Sequence, residues 1–511
     1  MRLTRQIPAY GMPAADGPGA LPPLPELPKP GPGPQVRSAT GDNRNQPSPP
    51  RMDPRHDPDA VPGSDLPPGA TAGPGLPGGG PPQTPPFDRE ESIDIIDGRY
   101  IPCDAPYAEW TGTVTDQALH GAAYHTNAPC LNGIYIAGDS TYRITDCSFD
   151  LKGHGINDFA GIGSAIMVDG TSAVEITDTR ITTAGAIRPC LTANGSSVTR
   201  LRRCELYAAG GPLPETYVPR IAAGMMEPPK GLGIGGTCRA SVLLGSAKLY
   251  YADCRIAAAG WGALSTDADA PGKYLQCDRC EITVAGSGYG IFGDGSVECV
   301  MNQCTFRVCD YVSMAGASSC IRYRDCLLES GKYGVMVFGS GADRVPQTYI
   351  HGGRISAPEA VVYLKGTNAY VSIDGAEITT GKYLIHTIVD DDPMQQVLPD
   401  ALCCKTYGMK AALKNMTLTG DIVHEEVRRD LAVTLEQVHL TGRIQNAYLS
   451  MTDSHWFSPG DSKVAFVGPI HADWLDAPEH VVIEATAGPG CVLSGSYPLK
   501  SGGHLIVRTN A

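Results

Sequence analysis

Several features that most directly betray function are scarce in this chain. Charged residues make up 18% of the 511 and aromatic residues 7%, with only 8 Phe and 4 Trp. No apolar run approaches the roughly 20 residues of a membrane-spanning helix, so no membrane span is expected. Positive charge is not in excess. The net charge is −14 and the pI is near 5.3, which argues against a nucleic-acid partner, because phosphate binding needs a basic stripe. The opening residues, MRLTRQIPAYGMPAADGPG, lack the apolar stretch of a secretory signal. The 17 cysteines are an odd number and cannot all pair within one chain. No CxxC pair is followed by another at zinc-finger spacing, and Cys277 and Cys280 form a lone CxxC. A reducing, cytoplasmic setting is expected from these absences, with export by a non-classical route as the alternative.

What is abundant is glycine (61) and proline (43). Residues 1–91 hold runs such as LPPLPELPKPGPGPQ and LPPGATAGPGLPGGGPPQTPPF. They read as a disordered tail, since such a segment buries too little apolar surface to offset its ordering entropy. From about residue 92 the composition changes and a repeat emerges. Tyr289, Tyr311 and Tyr333 recur every 22 residues, as do Cys304 and Cys326, and each Tyr is followed by a short apolar run and a Gly-rich turn. A period in this range marks a solenoid. Short segments of alternating polarity indicate strands, and the many glycines and β-branched residues penalise helix. The expected fold is all-β: a right-handed parallel β-helix of about ten coils of 22–26 residues over 92–456. An insertion interrupts it at 211–237, and a short β cap follows at 457–511.

The coil pattern over about 120–455 resembles the pectate-lyase-like superfamily of right-handed parallel β-helices. The segments GTCRASVLLG, AGWGALSTD and GSGYGIF also resemble a bacterial group of β-helix proteins to which no activity is attached. Gly153-His154-Gly155 is similar to a GHG element of polygalacturonase-like hydrolases, but the acidic motifs that precede it there are missing here. The resemblance implies a fold and no particular catalytic motif.

Stacked coils place equivalent residues in columns. One column is Cys147, Cys204, Cys254, Cys280, Cys304 and Cys326, each followed two residues later by Phe, Leu or Ile. A small buryable thiol suits a solenoid corner, and sulfurs spread along an axis do not surround a metal. A second column is Trp261, Tyr289, Tyr311, Tyr333 and Tyr383. Strict alternation along a strand assigns Leu264, Phe292, Met314 and Met336 to the core. It assigns Trp261, Ser265, Asp267 and the tyrosines, with Ile291, Ser313 and Val335, to the outside. His386 takes the inward parity. The insertion 211–237 leaves from the corner that precedes Trp261 and brings Glu215, Tyr217, Arg220, Glu227 and Lys230 toward the aromatic column, with Arg239 just beyond. A wall beside an aromatic floor makes a cleft, the default binding site; the alternative is a tyrosine ladder packed under the neighbouring loop as rim structure.

Two functions fit these residues. In the first, the cleft holds a sugar or another polyhydroxylated or aromatic ring on Trp261, Ser265, Tyr289, Tyr311 and Tyr333. Glu227 or Asp267 acts as base there, with Lys230 and Arg239 stabilising an oxyanion, in lyase or isomerase chemistry. In the second, the chain is a non-catalytic, carbohydrate-binding or surface scaffold. No cofactor is required by either; Asp390, Asp391 and Asp392 are the weak candidates for calcium, against a solvated DDDP turn. The partner expected is a small molecule or glycan, and the pattern is also compatible with a homo-oligomer.

Overall fold

The computed structural model describes residues 90–102, 108–156, 159–219, 224–229, 232–267, 270–339, 345–366, 368–388, 409–424 and 431–441. It also describes the strands at 443–446, 463–467, 474–476, 482–487 and 504–509. The chain divides into two units, 1–70 and 71–511, and every described residue belongs to the second. Among the described residues there is no α-helix. Strands form three sheets, of 15, 16 and 11 strands, and the chain visits them in rotation. One coil illustrates the path: Tyr311–Gly316 lies in the first sheet, Cys320–Arg324 in the second, Leu327–Ser330 in the third, and Tyr333–Gly339 is back in the first, on top of Tyr311–Gly316. Beyond the antiparallel pairs at the N-terminal end, which involve Glu90–Ile96, Ala108–Trp110 and Thr113–Val114, neighbours are parallel. The fold is therefore the parallel β-helix expected from the 22-residue period.

The corner between the second and third sheets explains the cysteine column. The residue before each Cys lies in the left-handed region, as at Arg203, Asp253, Arg279, Gln303 and Asp325, with φ between 50° and 55°. That turn aims the Cβ of the next residue into the solenoid. The thiol fills the corner and also bonds weakly to backbone. The Cys304 Sγ lies 3.3 Å from the Asn302 carbonyl, and the Cys326 Sγ is 3.4 Å from the Cys304 amide. Isoleucine would fill the space without serving those polar groups. Two residues on, Leu206, Ile256, Ile282, Phe306 and Leu328 form part of the continuous axial core.

Strict alternation fails in the first sheet. The register pairs Tyr289 with Tyr311 and Ile291 with Ser313, and passes over the residue between. The same position is skipped between Tyr333 and Val335 and between Ala360 and Val362. At this bend two consecutive side chains face the axis. A Cβ on Gly290 would meet the core ring of Phe306, and Ile291, Val312 and Val335 are core residues. The outward set is consequently Tyr289 with Phe292, Tyr311 with Met314, and Tyr333 with Met336, all in or packed against a second apolar cluster outside the axial core. Of the four residues expected inside, Leu264 is in the core, whereas Phe292, Met314 and Met336 are not. Ile291 and Val335, expected outside, line the core.

The outer face of the third sheet carries an ion-pair ladder. Arg180, Glu205, Arg255, Glu281, Arg307 and Glu329 follow one another coil by coil, with nearest N···O distances from 3.1 to 3.9 Å. These pairs are half-exposed or exposed, so each adds only a few tenths of a kcal/mol, up to about 1.

Burial keeps the interior thiols protonated. It pushes Cys190 up to about 12 and Cys277 up to about 11. An unfolded chain ionises its thiols near pH 9 while the folded one resists, so their stabilising effect is intact below about pH 9 and is lost as pH rises through 11 to 12. Urea midpoints measured from pH 8 to 11.5 should therefore fall steeply above pH 9. The decline should be shallower in Cys277→Ala, and an identical slope in that variant would show that the thiol is not shielded.

Candidate binding face on the first sheet

Three outward columns run along the first sheet. One holds Arg239, Gly262, Tyr289, Tyr311, Tyr333, Ala360 and Tyr383, so Gly262 and not Trp261 stands one coil below Tyr289. The next holds Ser265, Phe292, Met314, Met336, Tyr363 and His386. At the far strand end Gly316, Phe338 and Lys365 follow in register. Glycine is required beneath two of the rings. A Cβ on Gly262 would sit 2.1 Å from the Tyr289 ring, and one on Gly316 would sit 2.7 Å from that of Phe338.

The insertion covers the lower part of these columns. Met225 and Met226 dock into the second apolar cluster beside Trp261, Tyr289 and Tyr311, with Leu213, Tyr217, Leu232 and Ile234 packed around them. The Tyr217 hydroxyl accepts a hydrogen bond from the Met226 amide at 3.1 Å. The far end of the insertion is fastened to the coils. The Gly235 amide donates to Ser287 Oγ, which donates in turn to the buried Asp310 carboxylate, and Lys332 Nζ closes on that carboxylate at 2.6 Å. The Trp261 amide donates to the carbonyls of Gly235 and Ser287, both at 2.8 Å. Trp261 itself has φ +65°, and a Cβ on Gly236 would lie 2.3 Å from its amide nitrogen, so the insertion passes directly over this corner.

Arg239 and Asp267 meet beneath that cover as an ion pair, with side chains 2% and 8% exposed. The guanidinium also lies 5.2 Å from the Trp261 ring centroid and 6.0 Å from that of Phe159. The Ser265 and Tyr289 hydroxyls bond each other at 2.9 Å. Lys273 Nζ, almost buried, donates to the carbonyls of Asp267 and Asp294 at 2.7 and 3.1 Å. An acid, a cation and a hydroxyl are thus brought together as expected, but each is engaged with its neighbours. Trp261, Tyr289 and Tyr311 are 2%, 0% and 6% exposed. They pack under the insertion and are not an open floor.

Beyond the insertion the columns emerge. Tyr333, Phe338, Tyr363, Tyr383 and His386 are half-buried. Tyr333 stacks on Tyr311 at 5.0 Å and approaches Tyr363 at 4.6 Å. Tyr383 and His386 lie 4.5 Å apart, and Tyr363 and His386 5.7 Å, centroid to centroid. The inward placement expected for His386 is corrected by the same bend that moved Met314 and Met336. Phe338 and Tyr363 were not singled out in the sequence, because their outward facing depends on that bend.

Glu227 is half-buried in the insertion and Glu215 is exposed. Lys230, Arg220 and the run Asp390, Asp391 and Asp392 lie outside the described residues. Among the described residues no group of three or more His, Cys, Asp or Glu could hold a metal. Gly153-His154-Gly155 is taken up by backbone structure. The His154 carbonyl accepts from the Cys130 amide at 2.8 Å, and that of Gly153 accepts from the buried Arg188 guanidinium at 3.2 Å.

No family model and no curated protein matches the chain. Among solved structures it is similar to the tailspike protein gp49 from Pseudomonas phage LKA1, with 10% identity and a TM-score of 0.32 over 60% of this chain and 51% of that one. The match spans about half the length of that tailspike. The parallel β-helix rests on the strand register above and not on this likeness.

Removing one partner of a buried pair strands the other charge. Arg239→Ala should therefore lower unfolding stability by about 3–5 kcal/mol, with most of it recovered in Arg239→Met/Asp267→Leu. Urea unfolding of the three proteins checks this; a loss below about 1 kcal/mol in the single variant would mean that Asp267 is solvated.

Proposed function

We propose that the protein binds a glycan, or another ligand built of sugar-like rings, on the emergent stripe of Tyr333, Phe338, Tyr363, Tyr383 and His386. The observation that supports this reading is the run of half-buried rings on successive coils just past the insertion. Tyrosine offers apolar area with a polar edge, which suits the faces and hydroxyls of a pyranose. Binding is favoured over catalysis because the acid–base candidates Arg239 and Asp267 neutralise each other under Trp261.

A lyase or isomerase keeps one supporting observation: carboxylate, guanidinium and phenol lie on adjacent strands, at Asp267, Arg239 and Tyr289. In that reading Asp267→Asn abolishes turnover of an identified substrate. In the binding reading it leaves glycan affinity within a few-fold of wild type.

The experiment is a glycan array followed by calorimetry on the best ligand. Tyr363→Ala and Tyr383→Ala are each expected to weaken binding about tenfold, in keeping with about 1.4 kcal/mol for a lost ring contact. Absence of any glycan ligand, or unaltered affinity in both variants, would sink the proposal.

A further inference from the structure

The second sheet carries an arrangement that the first does not. On its outer face the Arg200 guanidinium lies 5.2 Å from the Tyr250 ring centroid, and Tyr250 lies 5.5 Å from Tyr274. Farther along, Arg322 lies 4.3 Å from the Tyr349 centroid, and Tyr349 lies 5.5 Å from Tyr370. The register shows that these two triples occupy the same places on the coil. Arg200 leads to Arg322 through Tyr250, Gln276 and Val300, and the next step is Tyr349. Tyr274 leads to Tyr370 through Glu298, Cys320 and Gln347. The second triple is therefore the first one translated by four coils, about 19 Å at roughly 4.8 Å per strand.

Each station also carries a polar edge. The Tyr274 hydroxyl donates to Gln276 Oε1 at 2.9 Å, and that of Tyr349 donates to Gln347 Oε1 at 2.7 Å. The four tyrosines are half-buried and Arg200 is exposed. Between the stations the middle column holds Gln276 and Val300. Across the coils of the two stations the outer face carries Lys248, Arg200, Arg202, Arg322 and Arg324 against Asp278, Glu298 and Asp374, with Glu298 paired to Arg322 at 3.1 Å.

We infer that the outer face of the second sheet is a binding platform for a linear polysaccharide, held at two aromatic stations four coils apart. A repeated station on a straight track fits a repeating ligand. Ring faces with amide and guanidinium edges fit pyranoses. The inference does not depend on the stripe of the first sheet.

The full chain is tested against insoluble cellulose, chitin, xylan and mannan by depletion, and against their oligomers by calorimetry. Binding of at least one is expected. Tyr250→Ala and Tyr349→Ala should each weaken it about tenfold, and the double variant far more than either, because two linked stations act by effective concentration. Oligomers too short to span both stations should bind hardly better than a single station allows. Tyr250→Phe and Tyr349→Phe, which keep the rings, should retain binding, and circular dichroism should show all variants folded. Tyr363→Ala/Tyr383→Ala separates the two faces: loss there alone overturns the platform and keeps the first-sheet stripe. The platform is equally overturned if no polymer in the panel binds, if the alanine variants bind like wild type, or if their sole effect is to abolish self-association of the chain.

Discussion

Everything on this solenoid follows from one constraint: each coil hydrogen-bonds to the next in parallel and in register. Parallel pairing sets a residue beside its counterpart one coil away, at roughly 4.8 Å. A side chain is therefore tolerated where its neighbours of the same kind can lie beside it. Thiols at the corner, rings on the first sheet and opposite charges on the third are three solutions to that problem. The thiols pack and bond to backbone, the rings stack, and the charges alternate.

The insertion at 211–237 divides one continuous aromatic face into two regions with different chemistry. Where Met225 and Met226 lie on it, the face is a second core, with Tyr289 wholly buried and Arg239 paired to Asp267. Past it, the same columns present Tyr333, Tyr363, Tyr383 and His386 half-exposed. From Tyr289 to Tyr383 the register skips the same residue in both regions. What changes is what lies above, and with it the work a ring can do: filling space in one region, meeting a ligand in the other.

The period was legible in the sequence because tyrosine holds one place on three successive coils, at Tyr289, Tyr311 and Tyr333, and cysteine holds another on five, from Cys204 to Cys326. The corner was legible too, since a small buryable residue followed by a core residue at i+2 is the pattern that an inward-aimed turn imposes. Facing in the first sheet was not. Parity counts each residue as a flip, and the bend at Gly290 and Val312 inserts one residue that does not flip. That single irregularity put Phe292, Met314, Met336 and His386 on the wrong side, while the outward parity of Arg239 and Asp267 was legible. The engagement of those two with each other could not be read, because it depends on the pairing of their strands and on Trp261 and Phe159 packing beside the guanidinium. The tyrosines of the second sheet escaped notice on different grounds: Tyr250, Tyr274, Tyr349 and Tyr370 follow no fixed interval, and their order appears only when the register is known.

The ladder on the third sheet has a consequence for assembly order. Arg180, Glu205 and Arg255 alternate in sign from coil to coil, as do Glu281, Arg307 and Glu329. A coil that skipped its neighbour and docked on the next one would set Arg180 against Arg255, or Glu205 against Glu281. In the column Arg180, Glu205, Arg255 and Glu281 each correct step joins unlike charges and each skipped step joins like ones. All coils share much the same hydrophobic pattern, so burial alone tells them apart poorly. Over these four coils the surface charges, worth little to the finished molecule, set like charge against like wherever a coil is skipped, and so disfavour that misstacking.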